Sequence, residues 1–238
     1  MPSLRSSASL SSAIADIPSG VEGFTLDIDG HLLEISSNGD SATKIIFAEL
    51  ETGVMLKISL KQLWEVMKSC AKVDGELLGA VDEYKAPLNA GPLSPKPNSY
   101  LFKKGAYHEF ITIRVGQAWW SFERLKEGIL VQRSCEKEEV IRKSIKIYRY
   151  GKNILLKNIP SKSLGLIKKL KTVENLISSL ELVFKVIIGE RYHLRERNCQ
   201  HFVARVLRKL GFKWNMSILG SFLDQFINNL KIKQISSR

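Results

Sequence analysis

The spacing of apolar residues changes along this chain of 238 residues, and that change constrains the fold more than any other feature. Short stretches such as "AYHEFITIRV", "AWWSFERL", "GILVQRS" and "SIKIYRY" have the alternation and the β-branched or aromatic content of strands. From Ser163 to Ile187, apolar residues recur every three or four positions, which is typical of an amphipathic helix. A second helix is predicted from about Cys199 to Leu210, with Gly211 as its cap, and a third in "SILGSFLDQFINNL". Strands followed by helices predict an α+β fold.

The first part of the chain predicts a smaller unit. An Asp-Gly pair at positions 29–30 separates two alternating runs in "FTLDIDGHLLEIS", which is a strong hairpin signal. A second hairpin is predicted to turn near Gly53, and "SLKQLWEVMKSCAKV" then has apolar residues at helical spacing with Ser59 as the N-cap. We therefore predict a small β-meander with a helix over residues 21–84, after a Ser-rich disordered tail over residues 1–20.

A proline-rich segment follows this unit. The stretch "APLNAGPLSPKPNS" contains four prolines and one glycine, and it predicts a linker over residues 85–99. The charge changes sign at the same place. Residues 1–99 hold 8 basic and 13 acidic side chains, a net charge of −5, whereas residues 100–238 hold 28 and 11, a net charge of +17. We therefore predict a domain boundary at the linker, with a basic domain over residues 100–238.

The amino-acid composition limits the classes of binding partner and the cellular compartment that we expect for the protein. Three widely spaced cysteines without a CxxC pair disfavour a disulfide framework and a zinc site, so we expect a reducing cytoplasmic setting without metal or cofactor. No apolar run reaches the roughly 18 residues that predict a transmembrane helix. The basic domain suits peripheral contact with an anionic membrane. Nucleic-acid binding would rest on charge alone and is not favoured. The acidic N-terminal unit would bind a protein partner of unknown identity.

Cys199 is the leading candidate for a catalytic side chain. It follows Asn198, a favoured N-cap residue, and so lies in the first turn of the predicted helix. The helix dipole and the first-turn N–H groups stabilise a thiolate there, which lowers the pKa of the thiol. The same position also suits a buried cysteine that only packs the helix. Spacing alone leaves both interpretations open.

A nucleophilic thiol needs a base, and His108 on a predicted strand is the best-placed histidine. His201 lies two residues from the thiol on the same helix, so its ring points away from the sulfur. If the hairpin after His108 pairs Val115 with Ala118, Glu123 becomes the diagonal neighbour of His108 on one face of the sheet. We therefore expect Glu123 to orient the imidazole as the third member of a triad. A solvated strand position is the alternative.

The stretch "YHLRERNCQHFVARVL" resembles the NC-box of circularly permuted, NlpC-type papain-like proteins, in which an Asn-Cys-x-His-Phe helix follows the strand of the catalytic histidine. Lecithin:retinol acyltransferase-like proteins carry this box as NCEHF, and PPPDE-type peptidases carry a similar box preceded by a tyrosine like Tyr192. Upstream, "YHEFITIRVGQAWWSFERLKEGI" resembles their H-box. The resemblance covers roughly residues 100–212. It implies a permuted papain-like domain with Cys199 as nucleophile and His108 as general base.

The resemblance also implies a function. We expect a thiol acyltransferase or hydrolase that forms an acyl-enzyme thioester, with a lipid ester favoured because NCQHF is close to NCEHF. A cysteine peptidase or isopeptidase of the PPPDE type is the first alternative. A catalytically inactive interaction module is the second, because the acyltransferases have a further histidine on the following strands and none lies between Trp119 and Tyr150. The role of Glu123 comes from strand register and not from the resemblance.

Both enzyme interpretations require one geometry. The helix of Cys199 should pack on the sheet of residues 107–125 with its N-terminus aimed at His108. Glu123 or Ser121 should approach the far nitrogen of the imidazole. The apolar stripe of the helix should meet strand residues Phe110, Ile113, Trp119 or Trp120, and Phe122.

Overall fold

The computed structural model describes residues 24–28, 31–35, 45–87, 107–125, 128–147, 159–193 and 197–213. Nine strands and four helices lie in these ranges. The strands are β1 (Phe24–Ile28), β2 (His31–Ile35), β3 (Ile45–Glu49), β4 (Val54–Ile58), β5 (Leu78–Pro87), β6 (Tyr107–Val115), β7 (Ala118–Arg124), β8 (Ile129–Ser134) and β9 (Ser161–Leu166). The helices are α1 (Leu60–Asp74), α2 (Lys137–Ile147), α3 (Val173–Gly189) and α4 (Cys199–Lys209).

Seven of these strands form one mixed sheet in the order β4-β3-β8-β7-β6-β5-β9. β3 and β8 run parallel, whereas the other neighbours in the sheet are antiparallel. β1 and β2 form a separate two-stranded sheet in which Ile28 pairs with His31, so the two strands predicted on either side of positions 29–30 pair in antiparallel fashion. The mixed sheet and its helices confirm the predicted α+β class.

The hairpin between β6 and β7 has the predicted register, with Val115 opposite Ala118. Gly116 in its turn has a φ of 56°, in the left-handed region that favours glycine. A Cβ at this position would lie 1.8 Å from the carbonyl oxygen of Asp74, so a larger residue does not fit. The same carbonyl accepts a hydrogen bond from the N–H of Gln117 at 2.8 Å. The end of α1 therefore fixes the turn, and the turn fixes the register of the two strands.

Helix α1 begins where the sequence predicts. Ser59 Oγ accepts from the N–H of Gln62 at 3.2 Å, and Gln62 Oε1 accepts from the N–H of Ser59 at 2.7 Å, which completes a capping box. Leu63 and Trp64 are buried on the apolar side of the helix. The ring of Trp64 meets the ring of Phe184 in α3 with centroids 5.2 Å apart, so α1 packs directly on a helix from the C-terminal part of the chain.

The strands on either side of the predicted linker pair with each other, contrary to the boundary expected at residues 85–99. β5 runs to Pro87, and Ala86 lies opposite His108 in β6. β3 pairs with β8 through the whole of its length, from Ile45↔Ile129 onward. The change in the sign of the net charge did not indicate this strand pairing. Charged side chains lie mainly at the surface, whereas the strands are joined through backbone hydrogen bonds and the apolar core.

Residues 144–147, the start of the predicted strand "SIKIYRY", are instead the last turn of α2. Val140, Ile141 and Ser144 are buried in this helix. These residues are three and four positions apart, which is the spacing of a helix. The short run beyond residue 144 has apolar residues at alternate positions, and this pattern suggested a strand. The rest of "SIKIYRY" lies outside the described residues.

Helix α3 begins at Val173, ten residues later than the periodicity from Ser163 suggests. Thr172 is its N-cap and accepts from the N–H of Asn175 at 3.3 Å. The first four of the ten predicted positions, 163–166, belong to β9, an edge strand in which Leu166 is 63% exposed. This exposed leucine happened to match the helical period. The predicted tail over residues 1–20 and the predicted third helix lie outside the described residues.

The helices cover both faces of the sheet. α1, α3 and α4 lie on one face, where the stripe of α4 shares a buried cluster with Ile113, Trp120 and Phe122, as expected. Phe110 was expected there too, but successive strand residues face opposite sides and it stacks on Tyr84 on the α2 face. Within the described ranges, no helix has the length and apolarity needed to cross a membrane.

Candidate active site

Cys199 is the first residue of α4 and is 4% exposed. Asn198 Oδ1 accepts from the N–H of Gln200 at 2.9 Å and from the N–H of His201 at 3.1 Å, so the predicted cap is confirmed. Gln200 Nε2 donates to the carbonyl oxygen of Tyr107 at 3.3 Å. The cap thus fixes the first turn of α4, and Gln200 joins that turn to the start of β6.

The start of α4 meets the sheet where β6 extends beyond its ladder with β7. That ladder begins at Phe110, so His108 and Glu109 precede it. The imidazole of His108 and the backbone N–H groups of Glu109 and Gln200 lie close enough to the sulfur of Cys199 to lower the pKa of its thiol by charge and hydrogen bonding. The structure therefore places the predicted nucleophile in direct contact with the predicted base.

Glu123 lies on the other side of the imidazole. His108 Nε2 is 3.2 Å from Glu123 Oε2, and neither side chain is more than 2% exposed. Glu123 Oε1 accepts from Gln132 Nε2 at 2.9 Å and from the hydroxyl of Ser144. Ser121, the other residue expected near the ring, accepts from Gln132 Nε2 at 3.1 Å instead. The register argument thus gave the right neighbour for the imidazole, and β8 and α2 hold that neighbour in place.

The electrostatics of the site favour a thiolate beside an imidazolium. Burial alone would raise the pKa of Cys199, but the charge of His108, its hydrogen bond and two backbone N–H groups lower it. Burial would likewise lower the pKa of His108, whereas the thiolate, its hydrogen bond and the bond to Glu123 raise it to about 9. Both shifts act in the same direction and favour the ionised pair, with the proton on His108.

Tyr192 also reaches the thiol, although it precedes Cys199 by seven residues. Backbone bonds between His193 and Arg197, of 3.2 Å and 3.0 Å, close the intervening loop. The Tyr192 hydroxyl lies close enough to the side chain and to the backbone N–H of Cys199 for hydrogen bonds with both to affect its pKa. Burial and the nearby thiolate raise the pKa of Tyr192, so the hydroxyl keeps its proton. It is a donor next to the nucleophile.

His201 has a different task, as its helical position predicts. Its Nδ1 lies 2.8 Å from Asn198 Oδ1, the oxygen that also caps α4. The ring therefore supports the helix cap and is not directed at the sulfur. His201 therefore acts on the site through Asn198.

Sequence patterns assign no role to three residues of the site. Tyr192 was noted only as part of the NC-box resemblance. Gln132 is a polar residue in the middle of the apolar run "GILVQRS", and this was the one signal that could have drawn attention to it. Ser144 lay in a segment that was predicted to be a strand, so its side chain could not be placed beside Glu123.

Two further observations bear on the site. Among the described residues, no group of three or more histidine, cysteine, aspartate or glutamate side chains is arranged to hold a metal ion. Comparisons of the chain with protein-family models, with curated proteins and with solved structures give no match. The functional proposal therefore rests on the side chains of the site themselves.

Proposed function

We propose that this protein is a cysteine-dependent hydrolase or acyltransferase that works through an acyl-enzyme thioester. One observation supports this more than any other: the Cys199 thiol, at the N-terminus of α4, contacts His108, and Glu123 holds the far nitrogen of the ring. Acyl transfer requires a nucleophile, a base that contacts it and a carboxylate that orients the base. The buried pair of Gln132 and Ser144 fixes the carboxylate.

The chemistry follows from these positions. The Cys199 thiolate adds to the carbonyl carbon of an ester, thioester or amide, and the carbonyl oxygen becomes an oxyanion. The Tyr192 hydroxyl and nearby backbone N–H groups are the donors available to it. The imidazolium of His108 gives its proton to the leaving alcohol, thiol or amine as the thioester forms. Water, an amine or an alcohol then attacks the thioester, His108 takes the proton of the attacking group, and the thiolate leaves.

The proposal includes the permuted papain-like fold and a lipid ester as substrate. The chain order supports the fold, because the histidine strand β6 precedes the cysteine helix α4, as in proteins with an H-box and an NC-box. NCQHF supports a lipid ester, and the net charge of +17 over residues 100–238 supports a cytoplasmic protein that contacts anionic membrane peripherally. A PPPDE-type peptidase has the same catalytic residues and remains the alternative enzyme.

One observation favours a non-catalytic module instead. Cys199 is 4% exposed and His108 is 2% exposed, so a substrate carbonyl reaches the sulfur only if the covering groups move. In that case the thiol would pack the start of α4 without reacting. The two proposals differ in whether Cys199 can be acylated.

Acylation of Cys199 tests the function directly. The protein is incubated with a p-nitrophenyl acyl ester, and its peptides are examined by mass spectrometry for an acyl group that hydroxylamine removes. We expect the acyl group on Cys199 and none in the Cys199→Ser variant. The exposed Cys135 is the internal control for non-specific acylation. Acylation of Cys135 in a folded protein whose Cys199 stays unmodified would contradict the proposal.

The acyl donor then separates the two enzyme classes. Phospholipid vesicles and fluorogenic peptide amides are offered to the same preparation. Release of lysophospholipid that is lost in Cys199→Ser supports the lipid ester, whereas peptide cleavage with the same dependence supports the peptidase.

A further inference from the structure

A pair of buried carboxyl groups lies next to the nucleophile. In the β5–β6 ladder, Lys85 is opposite Glu109 and Glu83 is opposite Ile111, so Glu83 and Glu109 are diagonal neighbours on one face of the sheet. Glu83 is 2% exposed and Glu109 is 1% exposed. Lys85 Nζ lies 3.1 Å from Glu83 Oε1. The ammonium group of Lys85 thus bonds to one of these two carboxyl groups, which are called the carboxyl pair below.

The hydrogen bonding of the carboxyl pair requires a proton. The carboxyl group of Glu109 is close enough to that of Glu83 for a hydrogen bond between them to raise the pKa of Glu109, yet two ionised carboxylates are both acceptors only. No N–H or hydroxyl group of the described residues donates to Glu83 Oε2 or Glu109 Oε1. A second buried negative charge without a donor is unfavourable, whereas one proton between the two groups satisfies both. Burial and the bond to Glu83 accordingly raise the pKa of Glu109 well above its ordinary value.

Other charged groups around the carboxyl pair do not replace this proton. Lys85 bonds to Glu83 and also lies 4.9 Å from the ring centroid of Tyr107. Lys162 in β9 is opposite Glu83, but its side chain is exposed to solvent. From α4, the group that faces Glu109 is the thiolate of Cys199, whose negative charge opposes ionisation of Glu109.

Glu109 is joined to the nucleophile in two ways. Its backbone N–H donates to the sulfur of Cys199, and its carboxyl group is close enough to feel the charge of the thiolate. Electrostatic interactions are reciprocal, so an ionised Glu109 would disfavour the thiolate as much as the thiolate disfavours an ionised Glu109. The protonation of the carboxyl pair therefore bears on the reactivity of Cys199.

We propose that Glu83 and Glu109 share one proton and that the resulting neutral carboxyl group on Glu109 preserves the thiolate of Cys199. Glu109 is then a positioning residue of the site: its N–H holds the sulfur, and its protonated side chain adds no negative charge beside it. Glu83 is the residue that keeps the proton on Glu109. This inference rests on the proposed function, since it concerns the reactivity of the same thiol.

Three variants test the proposal through the pH dependence of Cys199 alkylation by iodoacetamide. Glu109→Gln replaces a neutral acid by a neutral amide, so the apparent pKa of Cys199 should stay within about 0.3 units of the parent value. Glu83→Gln removes the acceptor of the shared proton and leaves Lys85 opposite Glu109. Glu109 then ionises, and alkylation at pH 7 should slow by about threefold to tenfold. The double variant Glu83→Gln/Glu109→Gln should return to the parent rate.

A fall in the apparent pKa of Cys199 by about one unit in Glu109→Gln would overturn the proposal, because it would mean that Glu109 is ionised in the parent protein. So would a Glu83→Gln variant with the parent rate. Infrared difference spectroscopy gives a second measurement that does not depend on the thiol. The carbonyl band of a protonated carboxyl group should be present in the parent at pH 7 and absent in Glu109→Gln. If Cys199 is inert and the band is present, the proposed function fails while the shared proton stands; without the band, the shared proton fails.

Discussion

At the scale of single residues, the site depends on where one proton resides. His108 carries it because three interactions together outweigh burial: the thiolate charge, the hydrogen bond to Cys199 and the bond to Glu123. The two other cysteines have the opposite environment. Burial raises the pKa of Cys70. Cys135 is an exposed residue, but partial burial of its thiol and a hydrogen bond to Glu51 raise its pKa to about 12. The chain therefore contains one activated thiol among its three cysteines and has internal controls for it.

The pH dependence of alkylation follows from the directions of these pKa shifts. The thiolate of Cys199 forms below the pH at which an ordinary thiol ionises, and His108 stays protonated up to about pH 9. The rate at which iodoacetamide modifies Cys199, followed by peptide mass spectrometry, should therefore rise to its plateau at a lower pH than the rate at Cys135. In His108→Ala the imidazolium is absent, so the rate at Cys199 should fall by about tenfold for each unit by which its pKa rises. An unchanged rate in His108→Ala would remove His108 from the mechanism.

At the scale of secondary structure, two helix caps have the same form but different consequences. Ser59 caps α1 and Asn198 caps α4, each through a side-chain oxygen that accepts from first-turn N–H groups. Only the second cap precedes Cys199. At the other end, the N–H of Phe212 bonds to Leu207 and Gly211 has a φ of 87°, so a Schellman motif ends α4 as the sequence predicts.

The two caps form a matched pair of substitutions. Asn198→Ala and Ser59→Ala should each lower the free energy of unfolding by about 1 kcal/mol, measured by urea denaturation. Only Asn198→Ala should also slow alkylation of Cys199 severalfold, because the start of α4 then frays and the sulfur loses its N–H donor from Gln200. Equal slowing in both variants would mean that the effect is general destabilisation and not a property of the site.

The comparison of sequence and structure is also clearest at this scale. The β6–β7 register was predictable because Gly116 fixes a two-residue turn, and from the register came Glu123. The start of α3 was not predictable from periodicity, since the exposed Leu166 in β9 falls on the helical stripe and the cap at Thr172 is a local signal. The contact of Tyr192 with Cys199 depends on a loop that backbone hydrogen bonds close. Patterns of side chains in the sequence do not indicate such backbone hydrogen bonds.

At the scale of the whole molecule, a buried ion cluster joins the parts that the sequence separated. Arg133 in β8 is fully buried and donates to Asp74 at the end of α1 at 2.6 Å and 2.9 Å. It also donates to Glu49 in β3 at 2.9 Å. The sequence could not predict this cluster, because a lone arginine in an apolar strand does not indicate which acids will reach it. The expected domain boundary failed for the same reason.

The cluster predicts how stability changes with pH. Burial raises the pKa of Glu49 from 4.5 to about 7, although Arg133 opposes the shift. A carboxyl group with a higher pKa in the folded state binds its proton more tightly there, so the free energy of unfolding should fall as the pH rises from about 4.5 to about 7. The loss should be on the order of 2 kcal/mol in urea denaturation and should be absent in Glu49→Gln. A parent protein that gains stability over this range relative to Glu49→Gln would contradict the assignment.

The parallel pairing of β3 with β8 has a consequence for how the chain is made. Glu49 and Arg133 are 84 residues apart in sequence, yet their strands are neighbours in the sheet. During synthesis the β3–β4 hairpin leaves the ribosome long before its second partner strand exists, and one edge of β3 stays open until β8 emerges. Pairing over such a distance must overcome the entropy of closing a long loop, which slows folding. The nascent protein thus passes through a period in which that edge is open to other chains, a vulnerability that the finished sheet no longer has.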